Sequence, residues 1–151
     1  MSSKNVKENI KKIMNSKKIL RWTKLANLDQ YHHLTINKAI ELVNDPKYFD
    51  SKTRILNLSE THFEVIDEFC FHSLDIKEVI FPLNLVIIAK YAFANNDLEK
   101  VNLTKSNKLE IIEDYSFAYN KINDFEFSNS VIVLTNKALF ANPCYNNKFK
   151  N

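Results

Sequence analysis

Apolar residues in this chain recur in a fixed order. Placing Phe71, Phe93 and Phe117 in register aligns three segments: Ile66-Asp-Glu-Phe-Cys-Phe71, Ile88-Ala-Lys-Tyr-Ala-Phe93 and Ile112-Glu-Asp-Tyr-Ser-Phe117. Each reads Ile-x-x-aromatic-small-Phe. Beyond the phenylalanines stand Ile76, Val79 and Phe81, then Leu98, Val101 and Leu103, then Ile122, Phe125 and Phe127, apolar at every place. The anchors lie 22 and 24 residues apart, with the two extra residues in the Thr104–Lys108 turn. Such a period marks an array of stacked units, none of which buries its apolar face alone. The second half of each unit ends in period-two alternation and predicts a short strand with one buried face. The first half has apolar groups at i and i+3 and predicts a turn of α- or 3₁₀-helix. Asn95-Asn96-Asp97 and Asn120-Lys-Ile-Asn123 supply the turn residues that join the halves.

A fourth, degenerate copy runs from Leu134 to Phe140, with either Leu139 or Phe140 in the anchor place, and Leu56-x-Leu58 matches only the end of a unit. The array thus extends from about Thr53 to Lys148. Cys70, Ala92, Ser116 and Ala138 share one position, where a close backbone approach leaves room only for small side chains. Residues 1–50 follow another pattern. Apolar residues at 6, 10, 13, 14 and 19–20 predict an amphipathic helix over Val6–Leu20. A second helix is expected over Thr35–Val43, with Thr35 as its N-cap and its end before Pro46. Leu20, Trp22, Leu25 and Leu28 between them provide bulk for packing. The expected organisation is a basic helical cap over 1–50 and a solenoid of about four repeats over 51–151.

The pattern Ile-x-x-Tyr-Ala-Phe-Ala-Asn-x-x-Leu-x-x-Val-x-Leu of 88–103, with its neighbours at 66–81 and 112–127, resembles the BspA-like leucine-rich repeat family. The glycine that family usually places after the Ile is replaced here by Asp67, Ala89 and Glu113. The resemblance implies an α/β leucine-rich-repeat solenoid, of short parallel strands plus helical or 3₁₀ turns with an N-terminal α-helical cap. It implies protein binding as the use of that solenoid, and no catalytic activity.

Composition removes several other functions. Among 151 residues there is no glycine, so neither a P-loop nor a dinucleotide-binding glycine fingerprint is present. Positions that need positive φ are expected to fall to asparagine or aspartate, and asparagine occurs 20 times. Lys, Asp or Glu interrupts every apolar run, which excludes a membrane-spanning helix on sequence grounds. The N-terminal residues lack an apolar secretion segment, so the expected location is the cytoplasm. Cys70 and Cys144 form no CxxC pair and are expected to be free thiols.

Stacking the units creates an extended concave sheet, and the residues between its buried positions point to solvent. They are Arg54, Ile55 and Asn57; Lys77, Glu78 and Ile80; Glu99, Lys100 and Asn102; Asn123, Asp124 and Glu126. This strip, mixed in sign at its middle and acidic toward the C-terminal end, is the expected partner-binding surface, with Ile80 its exposed apolar member. A second candidate is the basic N-terminal segment. Residues 1–25 carry a charge of +7 against −4 for the remainder, and Lys7, Lys11, Lys12, Lys17, Lys18, Arg21 and Lys24 could meet nucleic-acid phosphates or an anionic surface. Lysine dominance favours a solubilising helix instead, because arginine is the residue of bidentate phosphate contacts.

Catalytic and metal chemistry find no constellation. His32 and His33 are adjacent, so their side chains diverge. His62, Cys70 and His72 lack a fourth ligand at metal spacing. The carboxylate pairs Asp67-Glu68 and Glu113-Asp114 recur at one repeat position, as a solvated face would. Phe69, Tyr91 and Tyr115 share another, as packing residues would. The expected function is a non-catalytic protein-binding module without cofactor or metal, acting by occluding or scaffolding another protein, for instance as an inhibitor.

Overall fold

A computed structural model describes residues 8–9 and 27–148, and the chain divides into two units, residues 1–30 and 31–151. Of the helix expected over Val6–Leu20 only Glu8 and Asn9 are described, both helical, and the rest of it, with most of the N-terminal cap, lies outside the described residues; in the first unit Leu28–Gln30 forms one 3₁₀ turn. In the second unit the elements are β1 (His33–Leu34), α1 (Ile36–Val43), β2 (Phe49–Asp50), β3 (Ile55–Asn57), β4 (Val65–Ile66), β5 (Glu78–Ile80), β6 (Ile87–Ile88), β7 (Lys100–Leu103), β8 (Ile111–Ile112), β9 (Asp124–Phe127), β10 (Val133–Leu134) and α2 (Pro143–Lys148).

The second expected helix is present as α1. Thr35 is its N-cap, with Oγ1 accepting from the Lys38 N–H at 3.3 Å, and the chain leaves the helix at Asn44, before Pro46. Residues 31–50 are continuous with the repeats rather than set apart from them. His33 and Leu34 pair in parallel with Val65 and Ile66 and start the first ladder, while β2 forms an antiparallel hairpin with β3.

Each repeat contributes two strands, where the alternation predicted one. β1, β4, β6, β8 and β10 form a five-stranded parallel sheet of two-residue rungs. Val65, Ile87, Ile111 and Val133 stand in one column, 22, 24 and 22 residues apart, and delimit three complete turns of a β-solenoid. The i, i+3 spacing that suggested a helical turn is instead a rung followed by tight turns. Isolated i→i+3 bonds such as Ala94 N–H to the Tyr91 carbonyl, 3.2 Å, close them. These turns also bond across to the next repeat: Phe71 N–H to the Ala92 carbonyl at 2.8 Å, Phe93 N–H to Ser116 at 2.7 Å and Phe117 N–H to Ala138 at 3.0 Å.

The anchors are fully buried and stacked: Phe71 on Phe93 at 5.4 Å, Phe93 on Phe117 at 5.3 Å, with Phe81 and Phe125 edge-on against them. In the last copy the anchor is Leu139, 2% exposed, whereas Phe140 is 36% exposed. Cys70, Ala92, Ser116 and Ala138 are all buried, as a spacer position requires.

Positive φ does not fall mainly to asparagine and aspartate. Among the described residues nine have φ of 58 to 63°, and only Asp75 and Asn95 are of those types. Two places per repeat account for most of them: Phe69, Tyr91 and Tyr115 two residues before the anchor, and Ser73, Asn95, Tyr119 and Ala141 two after. The left-handed conformation costs an L-residue roughly 1–2 kcal/mol, and at the aromatic place ring stacking offsets part of it. Phe69 and Tyr91 stack at 4.9 Å, Tyr91 and Tyr115 at 5.0 Å.

Asparagine has another task. Asn96, Asn120 and Asn142, three residues past their anchors, are buried and replace backbone. Asn120 Nδ2 donates to the carbonyls of Phe93 (3.0 Å), Phe117 (2.9 Å) and Ala118 (3.2 Å), while its Oδ1 accepts from the Leu98 N–H at 3.0 Å. Asn96 and Asn142 repeat the arrangement one turn to either side.

Candidate functional site

The second strand of each turn carries the expected strip. β3 and β5 pair in parallel, with Ile55 opposite Glu78 and Asn57 opposite Ile80; β7 and β9 pair with Lys100 opposite Asp124 and Asn102 opposite Glu126. The alternation places Leu56, Val79, Val101 and Phe125 in the core. It leaves Asn57, Lys77, Glu78, Ile80, Glu99, Lys100, Asn102, Asn123 and Glu126 exposed, and Ile55 and Asp124 half-buried. Ile80 is 41% exposed and Phe127, at the strip's C-terminal end, 37%.

Three strip residues also have internal partners that sequence reasoning did not foresee. Arg54 Nη1 donates to Asp97 Oδ2 at 2.6 Å and to the Asp75 carbonyl at 3.3 Å, and Lys121 Nζ sits 3.2 Å from Asp97 Oδ1. Hydrogen bonds from Arg54, then from Lys121, hold the Asp97 carboxyl below its ordinary value. Asn57 Oδ1 accepts from the Ser59 N–H and hydroxyl (3.0 and 2.6 Å), and Asn102 Oδ1 does the same with Thr104 (2.9 and 2.6 Å). These are Asx turns that end the strands.

The strip is not one sheet. β2, β3 and β5 form one ladder, β7 and β9 another, and no ladder joins β5 to β7. The two strands are tied beyond both ends: the Asp97 N–H donates to the Ile76 carbonyl at 2.9 Å, and Ser106 Oγ to the Pro82 carbonyl at 2.9 Å. Over this seam lies a depression of about 460 Å³ lined by Lys77, Glu78 and Val79, by Glu99, Lys100 and Asn102, and by Thr53 and Ile55. Five residues of the expected partner-binding set thus converge on one hollow. Among the described residues Lys77, Glu78, Glu99 and Lys100 make no ion pair.

The histidines and cysteines are dispersed. His32 Nδ1 faces the His62 carbonyl at 3.3 Å and its ring packs on Phe63, whereas His33 Nδ1 lies 2.6 Å from Asp67 Oδ1. Cys70 Sγ donates to the Leu34 carbonyl at 3.0 Å; burial, with the Asp67 charge adding to it, pushes the thiol up to about 12. A thiol so held is no nucleophile at neutral pH. Among the described residues no group of three His, Cys, Asp or Glu is placed to hold a metal ion. Phe69 and Tyr115 stack on the Tyr91 ring at 4.9 and 5.0 Å, so that ring is engaged within the column. Lys7, Lys11, Lys12, Lys17, Lys18, Arg21 and Lys24 lie outside the described residues. No described helix is long and apolar enough to cross a membrane.

In comparison with known proteins, a family model described as "BspA type Leucine rich repeat region" matches residues 43–150 in six copies. No curated protein and no solved structure matches the chain.

Proposed function

The chain belongs to the BspA-type leucine-rich repeat family, and from that premise we propose that it is a non-catalytic module that binds another protein through the strip carried by β3, β5, β7 and β9, occluding or scaffolding that protein. Solenoids of this kind commonly bind proteins on the extended surface that stacking creates. The observation that carries the reading is the convergence of Lys77, Glu78, Glu99, Lys100 and Asn102 on one hollow of about 460 Å³, with four charges unneutralised by any described neighbour. Charges held over a hollow and left without internal partners remain available to a partner's complementary groups. Inhibition of the bound protein is one form of the proposal.

The test combines capture with charge reversal. The full chain, used as bait in lysate of its native host, should retain a protein that survives nuclease treatment. Reversal at Lys77, Lys100 and Glu126 should release that protein, while reversal at Lys11, Lys12 and Lys17 should not. Release only by the second set, with nuclease sensitivity and loss between low and moderate salt, would move the contact to the basic segment and to nucleic acid.

A further inference from the structure

We infer that the seam between β5 and β7 seats an extended segment of a partner protein bearing neighbouring acidic and basic side chains. This rests on the protein-binding reading above and narrows it to the chemistry of the contact.

Parallel neighbours in a solenoid ordinarily share an evenly spaced ladder. Here no ladder joins β5 to β7, which are tied beyond their ends by Ile76–Asp97 and Pro82–Ser106, and the hollow lies over that interval. A short extended segment laid over the interval would present successive side chains to the charged residues that line it. The volume lies within the range of clefts that hold small ligands or short segments.

The charges then select the occupant. Lys77 stands one turn from Glu99, and Glu78 one turn from Lys100, so signs alternate both along each lip and across the seam. None of the four is neutralised by a described neighbour. A uniformly acidic ligand, nucleic acid included, would meet Glu78 and Glu99; a uniformly basic one would meet the two lysines. Only a ligand that alternates sign places an opposite charge against each. Ile55 and Val79 in the lining suit the aliphatic stems of lysine, arginine or glutamate.

Amide shift mapping on the isotope-labelled full chain at low ionic strength tests this with three capped hexapeptides: alternating Lys-Glu, all Lys and all Glu. The alternating peptide should move the amides of residues 77–80 and 99–102 about threefold more than either homopolymer, and the shifts should fade in high salt. The variant Glu78→Gln with Lys100→Gln, whose removed charges have no described ion partner, should keep the wild-type unfolding midpoint and bind the alternating peptide about fivefold more weakly. No movement at the seam, equal movement with all three peptides, or unchanged binding by the variant would overturn the inference. If the peptide fails while reversal at Lys77, Lys100 and Glu126 still releases the captured protein, this inference falls and the protein-binding reading stands; if reversal releases nothing, that reading falls by itself.

Discussion

Asn96, Asn120 and Asn142 behave as pieces of main chain. Each Nδ2 contacts three backbone carbonyls and each Oδ1 accepts from one backbone N–H, or two at Asn96, at the corner where the chain passes from the anchor to the strip strand. A buried amide so engaged resists replacement, because removing it strands backbone N–H and C=O groups that no water reaches. Asn120→Ala should therefore cost about 2–3 kcal/mol in urea unfolding, more than an average surface substitution. A cost near zero would mean the side chain is not bonded as described. Cys70 offers a separate check through pH. Its thiol rises from an ordinary 9.0 to about 12 on folding, so the proton is held more tightly in the native state. The associated stability is intact below the unfolded value and declines as pH climbs from 9.0 toward 12. Against Cys70→Ala, the residue Ala92 already places at the equivalent position, wild type should lose up to about 1.4 kcal/mol per pH unit across that window. Parallel curves for the two proteins would contradict the burial of the thiol.

Between elements, the interrupted ladder makes a local forecast. Amide hydrogen exchange should be faster for residues of β5 and β7 that border the seam than for residues bonded within the β7–β9 pair, although the same core lies beneath both. Equal protection would indicate a ladder that runs unbroken through all four strands. This level also shows what the sequence made legible. The strip strands were readable because Val79, Val101 and Phe125 alternate with exposed neighbours, and a period of two has one physical meaning at that length. The rung strands were not. Val65-Ile66, Ile87-Ile88 and Ile111-Ile112 are buried at both positions, so they carry no alternation, and the spacing from Ile to the aromatic residue imitates a helix. The clue available was β-branching at consecutive positions, repeated at the period of the array. Turn chemistry misled for a related reason. Stacking along the axis rewards a ring at the left-handed position, an advantage that single-residue preference omits. Of the candidate site, the exposed residues were foreseen; the gap that gathers five of them was not, because a missing hydrogen-bond ladder leaves no mark in composition.

At the scale of the whole unit, stability and recognition share one device. Each turn contributes a phenylalanine or leucine anchor, a small spacer and a strip strand to neighbours on either side, so the core is continuous along the stack and the strip lengthens with every turn. The central claim is this translational order, and aromatic nuclear Overhauser spectroscopy on the full chain tests it most directly. The account expects cross-peaks from the Phe93 ring to both Phe71 and Phe117, which lie 5.4 and 5.3 Å away, and none between Phe71 and Phe117, separated by the ring between them. A direct Phe71–Phe117 cross-peak, or the absence of both Phe93 contacts, would contradict it.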